Sequence, residues 1–541
     1  MIKTVTIVVD QYYKKPDDVL RKIIAKQLKI AEKSINAFVL NKHSIDARRG
    51  QLKVNLRYTV YINEEPPEVT PYEPDWKDVS GDGDGVGAKK VIIVGAGPAG
   101  LFAALKLLEY GLKPVIVERG PDTSERRRDI ALISREQHVN PNSNYCFGEG
   151  GAGTFSDGKL FTRSKKRGNV TDILSTLHYH GADESVLTDS QPHIGTDKLS
   201  GIVQKIRETI ISYGGEVHFN TKCIGLVKDD DQVVRGITTA DGRTIDGEAV
   251  ILAAGHSARE VYTLLAENGA ELEAKTFAMG VRVEHPRAEI DAIQYHGKDP
   301  GDLGTASYRL AAQIDGRGVY SFCMCPGGVI VPSATADDEI VVNGMSPSNR
   351  NTRWSNAAIV VEIQPEDIPE EFVLAENPGM DEKAWKVLAG VRYQKWYERE
   401  AKKNGNGQIA PAQKLVDFIE GRQSADLPEC SYAPGVVVSR LDKWLPKEIA
   451  TRLKKGFRTF NHNMKGFVSG DAIVLGVESR TSSPVRVLRD PELFECRGVK
   501  GLYPAGEGAG YSGGIVSSAL DGENAAAAVG KLFGKDTKSK G

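Results

Sequence analysis

The sequence predicts an α/β chain of three units. These are a doubly wound domain with a central parallel sheet and a β-meander, a β-rich α+β domain, and a small N-terminal βαββ domain. Three observations lead there. A strand, a glycine turn, a helix and a second strand follow one another from Lys90. The stretch from about Thr276 to Val360 is dense in strand and turn signals. The first 62 residues carry their own strands and helix ahead of a Pro- and Gly-rich break. At 541 residues the chain exceeds what one hydrophobic core serves.

In the first unit, Thr4 to Val9 reads as a strand, and Asp17 to Leu28 as a helix with Val19, Leu20, Ile23, Ile24 and Leu28 at helical spacing. Phe38 to Leu40 and the alternating Leu52 to Tyr61 complete a βαββ pattern. Thirteen Lys and Arg, Arg48 and Arg49 among them, against five acids give residues 1–62 a net charge of about +8. We read this as a solvated face, or one that meets the acidic linker. An RNA-binding surface on residues 1–62 is the alternative. The linker, 63–88, opens with Glu64-Glu65-Pro66-Pro67-Glu68 and ends in a flexible Gly/Asp run.

From Lys89 the pattern changes. Lys90 to Val94 is an apolar strand, Leu101 to Tyr110 an Ala/Leu-rich helix, and Pro114 to Glu118 a second strand. Leu199 to Tyr213 reads as helix and Glu216 to Phe219 as strand. Gly225 to Thr239 with Arg243 to Asp246 reads as a β-meander, and Ala249 to Gly255 as a buried strand ending in Gly. About Asp381 to Ile419 reads as helical, and the last helix spans about Gly514 to Leu532. The expected domains are 89–275, 276–469 for a substrate or cap domain, and 470–541 returning to the first.

Gly95-x-Gly97-x-x-Gly100 lies between strand and helix, which is the context a dinucleotide site needs. Gly95 permits the tight turn, Gly97 lets backbone approach a pyrophosphate, and Gly100 lets helix and strand pack. The positive helix end, at Pro98 and Ala99, then faces the anion. Glu118 ends the next strand, where an acid accepts hydrogen bonds from ribose. No second such turn follows a strand, which argues against a separate nicotinamide domain. NADH or NADPH as a transient donor stays open.

Near the C-terminus, Gly501 to Gly508 reads as a strand ending in a Gly-flanked acid, and Tyr511-Ser512-Gly513-Gly514 opens a helix. This resembles the second FAD motif of the glutathione-reductase-like flavoproteins. The usual Asp is replaced here by Glu507. Glu118-Arg119-Gly120, Ala253-Ala254-Gly255 and the Gly148 to Leu160 loop fit the same superfamily. With Ser44 to Arg48, Phe322 to Gly328 and Glu478 to Pro484, the chain resembles the FAD-dependent, or NAD(FAD)-utilizing, dehydrogenases. The resemblance implies a Rossmann-like FAD-binding domain, non-covalent FAD, and an oxidoreductase acting on a small molecule. It implies cofactor contacts from Gly95, Gly97, Pro98, Ala99, Gly100, Glu118, Arg119, Gly150, Gly151, Gly153, Thr154, Ala254, Gly255, Gly506, Glu507, Gly513, Gly514 and Ile515.

Polar residues near the expected flavin edge are candidates for substrate handling: His256 with Ser257 and Arg259, Arg282 and His285 on one strand, Arg480, and Tyr511. His or Tyr would pass a proton, and Arg would clamp a carboxylate. Cys323-x-Cys325 would place two thiols on one strand face. A redox relay to flavin is one reading; we prefer packing, because Cys is a common small buried residue. His178-x-His180 is discounted as a metal pair, since i and i+2 do not share a helix face.

The six cysteines are too sparse for a disulfide scaffold, and no stretch has the length of a membrane span. A cytoplasmic location with no membrane partner is the expectation. The reading is therefore an FAD-dependent oxidoreductase. An RNA-modifying flavoenzyme and a non-enzymatic flavin sensor are the alternatives.

Overall fold

The computed structural model describes residues 1–47, 50–68, 72–81, 88–162, 168–374 and 381–534. Arg48, Arg49 and the Gly/Asp run at 82–87 lie outside the described residues.

Five parallel strands form the central sheet, in the order Leu502–Pro504, Ala249–Leu252, Lys90–Val94, Lys113–Val117, Glu216–His218. Their near-continuous apolar runs follow from burial on both faces. Ile93, Ile116 and Ile251 enter one core with the helices Pro98–Glu109, Thr196–Ser212 and Ile515–Leu532. Ile92, Val94, Val250 and Leu252 enter the other, beside the meander. That meander is antiparallel: Cys223–Lys228, Val234–Thr239, Thr244–Asp246. The first and last helices touch at Gly522, where a Cβ would lie 2.0 Å from the Ala99 carbonyl oxygen.

The second domain is a seven-stranded sheet ordered Ala311–Ile314, Arg317–Cys325, Trp354–Ile363, Phe277–Pro286, Ile473–Glu478, Ala410–Lys414, Val436–Val438. All pairs are antiparallel except the last. Ile473–Glu478 lies inside this sheet, so the expected border at 469/470 falls too early. The stretch expected to be helical, 381–419, is Glu382–Val387 and Ala389–Asn404, then the strand Ala410–Lys414 and a short helix, Leu415–Glu420. Gly405-Asn406-Gly407 ends the long helix, with Gly407 at φ 60°. A further helix, Lys447–Asn463, buries Leu453, Phe457 and Phe460 against the sheet. Its amphipathic pattern was open to reading in the sequence.

The N-terminal module has the strand order Ile2–Val9, Lys53–Ile62, Ile35–Asp46, all antiparallel, with the helix at Asp17–Leu28 as expected. It is not a detached unit. Ile7, Leu56 and Val60 join one apolar cluster with Val281 and Val361 of the large sheet. Tyr12 donates to Asp299 at 2.7 Å, and the Lys14 N–H to Asp302 at 3.0 Å. His43 meets Asp189 of the dinucleotide domain at 2.9 Å. The linker is also anchored, because Trp76 and Val79 are buried in that domain's core. Among the described residues, no helix is long and apolar enough to cross a membrane.

Candidate functional site

A cleft of about 2000 Å³, its open mouth included, lies where the C-terminal ends of the parallel strands meet the large sheet. Ligands of open α/β sheets bind at that edge. One wall is backbone. Gly95, Gly97, Pro98 and Ala99 line it at the start of the first helix, and Gly513, Gly514 and Ile515 at the start of the last. Gly95 stands at φ 109°, and a Cβ there would sit 2.5 Å from the Ala253 oxygen. Gly97 caps its helix without any side-chain acceptor, which leaves the first N–H groups directed at the cleft. A Cβ on Gly97 would meet nothing nearer than Gly151 at 4.0 Å, and on Gly255 or Gly513 nothing within 4 Å. These glycines front open space bordered by two positive helix ends, and that fits an anionic dinucleotide such as FAD.

Side chains and loops hold this wall in place. Glu118 lines the cleft and accepts the N–H groups of Ala96, Gly120 and Gly148 at 2.9, 3.0 and 3.0 Å. A carboxylate has about four lone-pair sites, so one remains for a ribose hydroxyl. Gly150 donates to the Ala96 oxygen at 2.8 Å, which ties the 148–153 loop to the glycine turn. Asp521 accepts the Gly506 N–H at 2.8 Å and is itself gripped by Arg489. Sequence reasoning missed Asp521, although it lies only fifteen residues beyond Gly506.

The opposite wall is made of side chains. Cys323 reaches the cleft from the large sheet, Asn343 from the separate two-stranded sheet of Val329–Pro332 and Val342–Met345, and Arg480 from just beyond Ile473–Glu478. Arg480 is buried and shares Glu398 with Arg259, while also pairing with Glu339. The two guanidiniums hold the Glu398 carboxylate well below its usual range, although burial acts the other way. On the loop 153–161, Asp157 takes Arg350 at 2.5 and 3.1 Å and Lys159 at 3.1 Å. Burial disfavours its charge, but Lys159 and Arg350 outweigh that and pull Asp157 below the normal carboxylate range.

His256 and Glu507 face each other across the cleft, Nε2 to Oε1, at 4.0 Å. Burial, with Arg480, Arg259 and Lys275 nearby, pushes His256 down to about 3. Burial lifts Glu507 to about 8 against the opposing pull of Lys275. At neutral pH the pair is therefore a neutral imidazole beside a protonated carboxyl, not an ion pair.

Of the expected cofactor residues, Gly95, Gly97, Pro98, Ala99, Glu118, Arg119, Gly151, Gly153, Ala254, Gly255, Gly506, Glu507, Gly513, Gly514 and Ile515 line this one cleft. Gly100, Gly150 and Thr154 do not. Gly100 packs beneath the turn, where a Cβ would lie 1.9 Å from the Gly95 oxygen, and Thr154 donates to the Glu149 oxygen. Among the substrate candidates, His256, Ser257, Cys323 and Arg480 are brought together. The others are not. Arg282 is fully buried against Glu478, Asn356 and Asn343. His285 is buried against the Phe467 oxygen at 2.7 Å. The Tyr511 ring lies under Arg489, 3.9 Å from its guanidinium. Cys325 is buried behind Cys323. Strand alternation does not carry the two thiols to one face, because the register breaks between Phe322 and Cys325 and Cys323 adopts φ 45°.

The two domains that build the cleft define a flavoprotein class. Residues 89–281 match the pyridine nucleotide-disulphide oxidoreductase family, and 276–481 match a C-terminal domain-like family of FAD-dependent proteins. Together these indicate an FAD-dependent oxidoreductase. Residues 1–61 match a domain of unknown function. The chain belongs to the same family as an uncharacterized protein of Clostridium beijerinckii, with 39% identity covering 93% of this chain and 94% of that one. A shorter match is 29% identical to an FAD-dependent urate hydroxylase of Mycolicibacterium vanbaalenii, over 31% of this chain and 40% of that protein. Solved structures with similarity include the flavin-dependent brominase Bmp2, at 13% identity and TM-score 0.35 over 84% of this chain and 81% of that one. A putative FAD containing monooxygenase from Photorhabdus luminescens has 9% identity and TM-score 0.35 over 83% and 89%. At those scores the likenesses carry no argument.

Proposed function

We propose that the chain binds FAD non-covalently in this cleft and passes hydride between the flavin and a small molecule admitted from the side of the large sheet. One observation carries the reading. A single cleft is lined both by two glycine-rich helix starts suited to a dinucleotide and by Cys323, Asn343 and Arg480 of the second domain. Bound FAD supplies a centre that accepts or donates a hydride.

The chain's own groups do the rest. The N–H groups of Gly97 and Ala99 bind negative charge, Pro98 between them having none, and the helix that opens at Ile515 presents a second positive end. Glu118 keeps the turn and loop in register and offers its remaining lone pair. Glu507 holds a proton at its carboxyl, ready to donate it, and His256 stays neutral beside it. Arg480 spends its donors on Glu398, Glu339, Thr335 and Cys146, so it shapes and fixes the far wall. NADH or NADPH is the donor we propose to test first.

The experiment is anaerobic reduction of the bound flavin with NADH, NADPH and a panel of small metabolites. Bleaching of the flavin band by a member of the panel supports the reading. A protein that takes up no FAD overturns it.

A further inference from the structure

We propose that Cys323 and Cys325 form a second redox centre, a dithiol that exchanges an electron pair with the flavin. The inference rests on the proposed FAD site. Cys323 lines the cleft while Cys325 stands buried behind it, its thiol donating to the Cys323 carbonyl oxygen at 3.3 Å and lying against the Cys323 thiol. The contact exists because the strand fails locally. The register with Trp354–Ile363 breaks between Phe322 and Cys325, and Cys323 takes a left-handed φ of 45° that non-glycine residues seldom adopt. A strained position at the edge of a ligand cleft calls for a functional explanation. Packing alone does not give one, since a regular strand would bury either thiol without that conformation.

The surroundings favour one thiolate. Lys159 lines the same cleft, and its ammonium nitrogen is buried without a hydrogen-bond acceptor in suitable geometry. Arg282 lies on the other side, its guanidinium donating to the Cys323 carbonyl oxygen at 3.4 Å. Asp157, Glu478 and Glu507 are the nearby acids. Asp157 is engaged by Lys159 and Arg350, and Glu478 by Arg282. The hydrogen bond from Cys325, with Lys159 and Arg282, lowers Cys323 and leaves the proton on Cys325. Gly328 and Gly344 leave room for Cys325: a Cβ at Gly344 would lie 3.0 Å from its Sγ.

The Cys323 thiolate and the Cys325 thiol lose two electrons and one proton as an S–S bond forms. Oxidised FAD takes up the electron pair and that proton. The reverse step reopens the disulfide. A bridge across one intervening residue closes a small ring, and strained disulfides are the readily reduced ones.

The test uses holoprotein, oxidised with diamide, freed of reagent and titrated anaerobically with dithionite. Wild type is expected to take up four electrons per FAD, and Cys323→Ser and Cys325→Ser two. Independently of the flavin, mass spectrometry after alkylation under denaturing conditions should show oxidised wild type losing two of its six alkylation sites, mapped to Cys323 and Cys325. Two-electron uptake by flavin-loaded wild type, or six sites still alkylated after oxidation, overturns the proposal. Failure to hold FAD overturns the proposed function, and the electron exchange with it. The two failures are therefore distinguishable.

Discussion

The two walls of the cleft are built in different ways. The dinucleotide wall is mainly backbone: glycine turns, a helix start at Gly97 with no side-chain cap, a second at Gly514 capped by Ser517, and carboxylates such as Glu118 and Asp521 that bind N–H groups. The opposite wall is mainly side chain: Arg480 between two acids, Cys323 on a broken strand, Asn343 on a short one. Atoms added at the open glycines of the backbone wall intrude on ligand space, whereas a side-chain wall depends on charge balance. The two should therefore fail differently under mutation.

The largest effect is expected on the charged wall. Glu398→Ala leaves Arg259 and Arg480 buried without their shared carboxylate, which should cost about 3–5 kcal/mol. Urea unfolding of wild type and variant reads this directly, and a loss under about 1 kcal/mol would show that the network is not structural. Next, on the backbone wall, Gly97→Val should fill the open space beside Gly151 and weaken FAD binding about 100-fold, or about 2.8 kcal/mol, without lowering the stability of flavin-free protein. Equal affinity in the variant would move the cofactor elsewhere.

Between the walls, Glu507 links the comparison to pH. Its value rises from 4.5 in the unfolded chain to about 8 on folding, so the native state holds the extra proton. Its contribution to stability is complete below about 4.5 and is lost as pH rises through 8. In flavin-free protein, Glu507→Gln should remove a decline of at most about 1.4 kcal/mol per pH unit across that window. Parallel stability–pH curves for wild type and variant would contradict the assignment. The smallest effect belongs outside both walls. Tyr12→Phe removes one exposed hydrogen bond to Asp299 and should leave thermal unfolding almost unchanged, because the shared apolar cluster holds the N-terminal module in place; a marked drop in the melting temperature would contradict this.

The same contrast explains what could be read from sequence. The backbone wall was legible, because Gly95 to Gly100 and Gly506 to Ile515 are local patterns whose chemistry lies in the main chain. The other wall was not, because its groups converge from distant positions. Glu339, Glu398 and Arg480 meet only through the fold. Lys275, which shapes both His256 and Glu507, left no motif. Arg282 and His285 looked like site residues on one strand. That strand is central in the seven-stranded sheet, and both side chains are fully buried. Cys323 and Cys325 meet through the register break and not through the strand alternation that suggests the pair in the sequence. The border near 470 was misjudged for a related reason: only the pairing of Ile473–Glu478 with Phe277–Pro286 shows which sheet that strand serves.

The most direct test of the central claim is absorbance titration of flavin-stripped protein with FAD, followed by acid precipitation. Saturation is expected at one FAD per chain, with a perturbed flavin spectrum and all the flavin recovered unmodified in the supernatant. No saturable binding, or flavin retained covalently in the pellet, would contradict it.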